Sequence, residues 1–402
     1  MTGIYRLKGS VKHYDWGGIS FLPSLLSLPN EEGQPFAEYW LGVHPQDYCT
    51  LELPDLHRVL LKEYMQEHPE TLGERVRNQF GHLPYLLKIL DVHKMLSIQV
   101  HPSKAAAKKE FDRENAEGIA PDSPNRNYKD DNHKPELMVA LGDFWLLHGF
   151  KPQETLIKIL KAVPELNELL PVFQQSGYEA LYKQVMTMPQ EEVNKILQPL
   201  LDRIIPIFNG EKLNRSQEDY WAAKAALSFP HNGKIDRGIF SIYLFNLLHL
   251  VKGEAIFQDA GVPHAYLEGF NVEIMANSDN VLRGGLTTKY IDVKELLKHT
   301  LCEPTKAEII SGKPVSGVEK VYLTPAPDFQ LSIFDLKAGD NIPIVAATAE
   351  ILVLTEGIAE LEYEGRRIIL QAGNPSAIIF PGRPVQLKSK EEAVVFRASV
   401  PV

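Results

Sequence analysis

Five side chains in three separated stretches have the types and spacing to hold a divalent cation and act on a substrate beside it. They are Gln99 and His101 in LSIQVHP, Lys134 and Glu136 in NHKPELMVAL, and His264 in GVPHAYLEG. Alternate side chains of an extended strand share a face, so Gln99 and His101 point one way and Val100 the other. Pro135 favours extended backbone before it, which puts Lys134 and Glu136 on one face as well. His264 follows a turn and opens a new strand, so the set converges from three strands. Two imidazoles and a carboxylate suit zinc, and an open position makes such a site catalytic rather than structural. Gln is an uncommon fourth ligand. The ordinary alternatives are a hydrogen-bonded Gln-x-His pair, a turn histidine, and a strand-end ion pair between Lys134 and Glu136. Spacing alone does not separate these readings.

A second candidate is the loop NSDNVLRGGLTTKYIDV, 277–293, where Arg283 and Lys289 could clamp an oxyanion or phosphate and Gly284 and Gly285 allow close backbone approach. Its alternative is an exposed loop with solvated charges. Lys88 lies inside the apolar run YLLKIL, where a lysine must snorkel, pair, or serve a ligand. Trp16, Trp40 and Trp145 read as core or wall, and His148 in LLHGF as a packed histidine. His13, Glu38 and His44 have no sharp reading from spacing.

The elements that must position these groups fall into four stretches. Residues 1–150 read as short strands and loops, with a polar helical stretch at 103–118. From about Gln153 to Phe229 apolar residues recur at helical spacing, as in EEVNKILQPLLDRII. Strands return at about 239–310, including GIFSIYLFNLLHL, and the segment from about 316 alternates short strands with Gly turns. The 402 residues allow two or three domains, and 44% hydrophobic with 23% charged residues is an ordinary globular balance. A formal charge of −10 without a basic patch argues against nucleic acid as a partner. No apolar run of about 18 residues predicts a membrane span. Cys49 and Cys302 lie too far apart in sequence to suggest a disulfide framework, which fits a reducing cytoplasm.

Four ordered motifs then carry a resemblance: KILDVHKMLSIQVHP (88–102), YKDDNHKPE (128–136), GVPHAYLEG (261–269) and SDNVLRGGLTTKYIDV (278–293). With YDWGG and AEYWLGVHP near the N-terminus, the chain resembles the type I phosphomannose isomerases. The resemblance implies a mainly β fold with an α-helical insertion: a cupin jelly-roll catalytic domain (1–152 and 230–315), an inserted helical domain (153–229) and a metal-free cupin-like β-domain (316–402). It implies one Zn²⁺ per chain on Gln99, His101, Glu136 and His264. It implies Arg283 as the catalytic arginine, Lys134 beside the metal, and Lys88 and Lys289 lining the substrate pocket. The activity implied is interconversion of mannose 6-phosphate and fructose 6-phosphate through a cis-enediol. Arg283 is then the electrostatic stabiliser and Lys134 a carrier of protons, while His133, Asp279 and a water remain open for the carbon-bound proton. The partner expected is a small sugar phosphate, and the enzyme is expected to be monomeric and cytoplasmic. Departures from the family pattern are His148, where a smaller residue is expected, and Thr288, where proline is common. The competing readings are another metal cupin, such as an iron oxygenase, and a non-enzymatic sugar-phosphate sensor.

Overall fold

The computed structural model describes residues 3–46, 49–229 and 233–401. Its described strands form sheets of nine, eleven and four strands, accompanied by helices along much of the chain. Each sheet runs from one edge strand to another, and none closes into a barrel. The expected cupin jelly-roll is therefore not found: the fold is mixed α/β. The physical reason lies in the thirteen-residue strand His264–Ala276, which changes partners along its length. Its later residues pair with Tyr85–Val92 and Glu136–Ala140, while its first residues pair with Phe144–Phe150 and Gln99–Val100. A register shift between Tyr266 and Glu268 marks the change. Such a bulge bends a strand and re-aims its side chains. The result is a branched sheet whose ends, Ile310–Ser311 and Ser10–Lys12, stay apart.

Helical spacing is met in Gln153–Ala162, Leu170–Thr187, Gln190–Asn209 and Glu218–Ser228. In Gln190–Asn209 the buried set is Val193, Ile196, Leu197, Leu200, Leu201 and Ile204, one stripe of an amphipathic helix. That stripe packs into an apolar cluster with Leu147, Phe150 and Trp221, and full burial of each such side chain is worth roughly 1.5–3 kcal/mol. The polar stretch after His101 forms Lys104–Ala116, whose Ser103 accepts a hydrogen bond from the Ala106 amide as an N-cap. One expectation fails here. Gly238–Leu244, read as strand, is a helix with all seven residues buried. A continuous apolar run fits a buried helix as well as a buried strand, and periodicity does not arbitrate.

From 316 onward the described structure is strand, as the turn rhythm suggested. The first strand, Gly3–Lys8, pairs on one side with Ser376–Phe380 and on the other with Thr50–Glu52. A shared core from Tyr5 and Tyr85 to Ile351 and Phe396 backs that sheet. Among the described residues no helix is long and apolar enough to cross a membrane.

Candidate metal centre and its cavity

Three ligand-type side chains meet where the branched sheet changes partners. His101 follows the short strand Gln99–Val100, Glu136 opens Glu136–Ala140, and His264 opens the long strand. They are 0%, 4% and 3% exposed, and one ligand atom from each lies within 4.8 Å of the others. The His101 Nδ1 is 2.9 Å from the Asn280 carbonyl, and the His264 Nδ1 is 3.0 Å from the Val262 carbonyl. A carbonyl only accepts, so each Nδ1 carries the proton and each Nε2 presents a lone pair. Both Nε2 atoms are buried without a hydrogen-bond partner. They face the Glu136 carboxylate, at 3.5 Å from Oε1 and 3.4 Å from Oε2. Acceptors turned toward an acceptor in a dry interior are unfavourable unless a cation lies among them. The donor set, two imidazoles fixed by carbonyls and one carboxylate, suits zinc.

Charge at the centre agrees with this. Burial lowers the His101 pKa to about 4, so its ring is neutral at neutral pH. Burial pushes Glu136 the other way, but the Lys134 ammonium is the chief influence against it and the carboxyl is held well below the usual range. The Lys134 ammonium is 3.1 Å from Glu136 Oε1, so the two share a face as the sequence indicated. Gln99 lies opposite His264 in one pairing and opposite Arg283 in the other. It borders a small chamber of about 70 Å³ together with Lys134, Glu136 and His264.

That chamber adjoins a cavity of about 1340 Å³ whose lining includes Lys88, Gln99, Lys134, Asp279, Arg283 and Lys289. Arg283 is half-buried and Lys289 lies at the exposed rim. Among the described residues no acidic side chain is within ion-pair distance of either. Burial lowers the pKa of both, and Arg283 adds to the effect on Lys289. Lys88 differs. Its ammonium is 3.1 Å from Glu273 Oε1 and 3.8 Å from Glu38 Oε2, and it lies over the Trp40 ring. Burial opposes its charge, yet the surrounding carboxylates of Glu273, Glu38 and Glu136 raise its pKa. Glu273, also buried, accepts from the Tyr266 hydroxyl at 2.8 Å.

His133 is not brought to the cavity. Its Nε2 lies 2.9 Å from Asp328 Oδ2, a partner 195 residues away that no local pattern reveals. Asp279 is brought there, with Oδ1 3.5 Å from the His44 Nε2. His44, Glu38 and Tyr14 also line the cavity, although spacing gave the first two no role. Alternation along Glu38–Gly42 puts Glu38 and Trp40 on one face, which was the available signal. Burial lowers the His44 pKa to about 4. His148 is buried, as expected for a packed histidine.

The profile of the catalytic domain of type I phosphomannose isomerase matches residues 4–153. The mannose-6-phosphate isomerase of Salmonella typhimurium is 37% identical over 388 residues, covering 94% of this chain and 96% of that protein. The Mus musculus mannose-6-phosphate isomerase is 31% identical over 435 residues, covering 98% of each. Among solved structures, the Salmonella typhimurium enzyme bound to fructose 6-phosphate and zinc aligns with a TM-score of 0.88 at 33% identity, over 99% of this chain and 100% of that one.

Proposed function

Because the chain belongs to the type I mannose-6-phosphate isomerase family, we propose that it interconverts mannose 6-phosphate and fructose 6-phosphate through a cis-enediol, with one zinc ion per chain. The observation that carries the reading is the pair of buried, unpartnered imidazole Nε2 atoms turned toward Glu136. His101, Glu136 and His264 hold the ion, and Gln99 is the fourth ligand. When bound, the ion supplies positive charge that polarises the sugar oxygens and stabilises the negative charge developing on them.

The remaining work falls to the protein's own groups. The substrate ring opens, and a proton moves between C2 and C1. Arg283 keeps its charge near neutrality and has no acidic partner among the described residues, so it stabilises the enediol oxygens. Lys134 reaches both the small chamber and the cavity and carries protons to and from those oxygens. Asp279, one of the carboxylates lining the same cavity, takes or gives the carbon-bound proton in this reading. The phosphate meets Lys289 at the rim. Lys88, already matched by two carboxylates, lines the sugar end.

The same proposal divides the chain into 1–152 with 230–315, 153–229 and 316–402. The run of helices from Gln153 to Ser228, and described elements that are all strands after residue 316, support it. Its setting is a monomeric, cytoplasmic enzyme, and sedimentation velocity tests the first of these terms.

The test is a coupled isomerase assay on mannose 6-phosphate. Turnover should vanish after exhaustive dialysis against a chelator and return with added Zn²⁺. Full activity in demonstrably metal-free protein would overturn the proposal. Oxygen uptake without isomerisation would favour the oxygenase alternative.

A further inference from the structure

Two polar side chains beside the ligand set make no hydrogen bond of normal geometry among the described residues. His148 and Gln258 are 5% and 0% exposed, yet both ring nitrogens of His148 and both amide atoms of Gln258 are unpartnered. His148 lies opposite His264 where Phe144–Phe150 pairs with the long strand. Gln258 lies opposite Glu136 where Glu254–Gln258 pairs with Glu136–Ala140. Directly opposed residues of antiparallel strands share a face, with Cβ atoms roughly 4.5–5.5 Å apart. Each unpartnered group therefore neighbours one ligand on that ligand's own face. Neither residue lines the substrate cavity or the small chamber, so a bound sugar does not satisfy them.

Buried polar atoms left bare cost free energy, and four at one place call for a compensating charge. A divalent cation at His101, Glu136 and His264 is that charge. Uncharged dipoles beside it, in a medium of low polarisability, turn their negative ends toward it and hold it more tightly. We propose that His148 and Gln258 are positioning residues of the metal centre, which steady His264 and Glu136 and slow the loss of the ion. This rests on the zinc reading above. It also has a sign that a purely structural role lacks. In the metal-free protein the four atoms are a liability, so apolar replacement should weaken metal binding without weakening the metal-free fold.

The experiment strips the protein of metal and titrates Zn²⁺ against a chromogenic chelator, then melts each metal-free variant. Gln258→Met and His148→Leu should each bind Zn²⁺ about 10–100-fold more weakly, the range for groups that support metal ligands. Their metal-free melting temperatures should equal or exceed that of the unaltered protein. His148→Asn, which keeps a dipole, should recover most of the affinity. Should His148→Leu not fold, Gln258→Met carries the test alone. Affinity within about 2-fold for the apolar variants that fold, beside normal zinc binding by the unaltered chain, overturns this proposal only. A metal-free melting loss shared by every variant, His148→Asn included, also overturns it. Failure of the unaltered chain to bind Zn²⁺ removes the metal reading and this inference with it.

Discussion

Lys88→Met separates charge balance from phosphate binding. The ammonium is 3.1 Å from one carboxylate and 3.8 Å from another, which at an effective dielectric near 20 gives attractions of about 5 and about 4 kcal/mol before desolvation is subtracted. Removing one partner of a buried ionic group costs about 3–5 kcal/mol net, because the remaining charges stay buried. At about 2.1 cal/mol/K per residue, 402 residues give a melting entropy of roughly 0.84 kcal/mol/K, so the variant should melt about 4–6 °C lower. The loss should depend on pH. Burial already raises Glu273, and losing the ammonium raises it further. A carboxyl raised by folding destabilises above its unfolded pKa of about 4.3, and acid relieves the penalty. The melting deficit should therefore shrink between pH 7.5 and pH 5. Calorimetry at both pH values and a KM for mannose 6-phosphate make the assay. An unchanged melting temperature with a KM raised about tenfold or more would refute the reasoning and place Lys88 on the phosphate.

Arg283→Ala should lower kcat by about 10²–10³, as loss of one electrostatic stabiliser does, with zinc content by metal analysis unchanged. The His44 pKa of about 4 lies below its unfolded value of about 6.5, so its stabilising contribution is full above pH 6.5 and drains as pH falls toward 4, reaching on the order of 3 kcal/mol. Urea midpoints across that window should fall less steeply for His44→Asn than for the unaltered chain. Burial raises Asp91 to about 6, which penalises its charged form in the fold above its unfolded pKa. Asp91→Asn should stabilise the protein at pH 7 by on the order of 1–3 kcal/mol, an advantage that disappears below about pH 4 in denaturant titrations.

How much of this was readable from the chain depends on the distance over which each feature is decided. His101, Glu136 and His264 were candidates because each sits in a short motif whose extended geometry fixes its face, but spacing left the metal reading open and the resemblance carried by the motifs decided it. The helices between Gln153 and Ser228 were legible because their periodicity is local. Gly238–Leu244 was not, since an unbroken apolar run has no period to read. The jelly-roll expectation failed because sheet closure is set by which strands pair, and no residue along His264–Ala276 announces that the strand will change partners. The same limit hid the duties of Glu38 and Glu273, whose ammonium partner comes from another strand. It hid the direction of His133 as well, which Asp328 decides from 195 residues further along the chain.

The strand Gly3–Lys8 has a consequence for how the protein is made. It leaves the ribosome well before one of its two neighbours, Ser376–Phe380. At about 5–20 residues per second, the intervening stretch of about 370 residues takes about 20–75 s to emerge. For that interval one flank of the nascent strand is open to any extended peptide it meets. Thr50–Glu52 can cover the opposite flank early, but that border is completed only once Ser376–Phe380 has emerged. A chain released before Ser376–Phe380 is made would therefore carry an adhesive border along Gly3–Lys8.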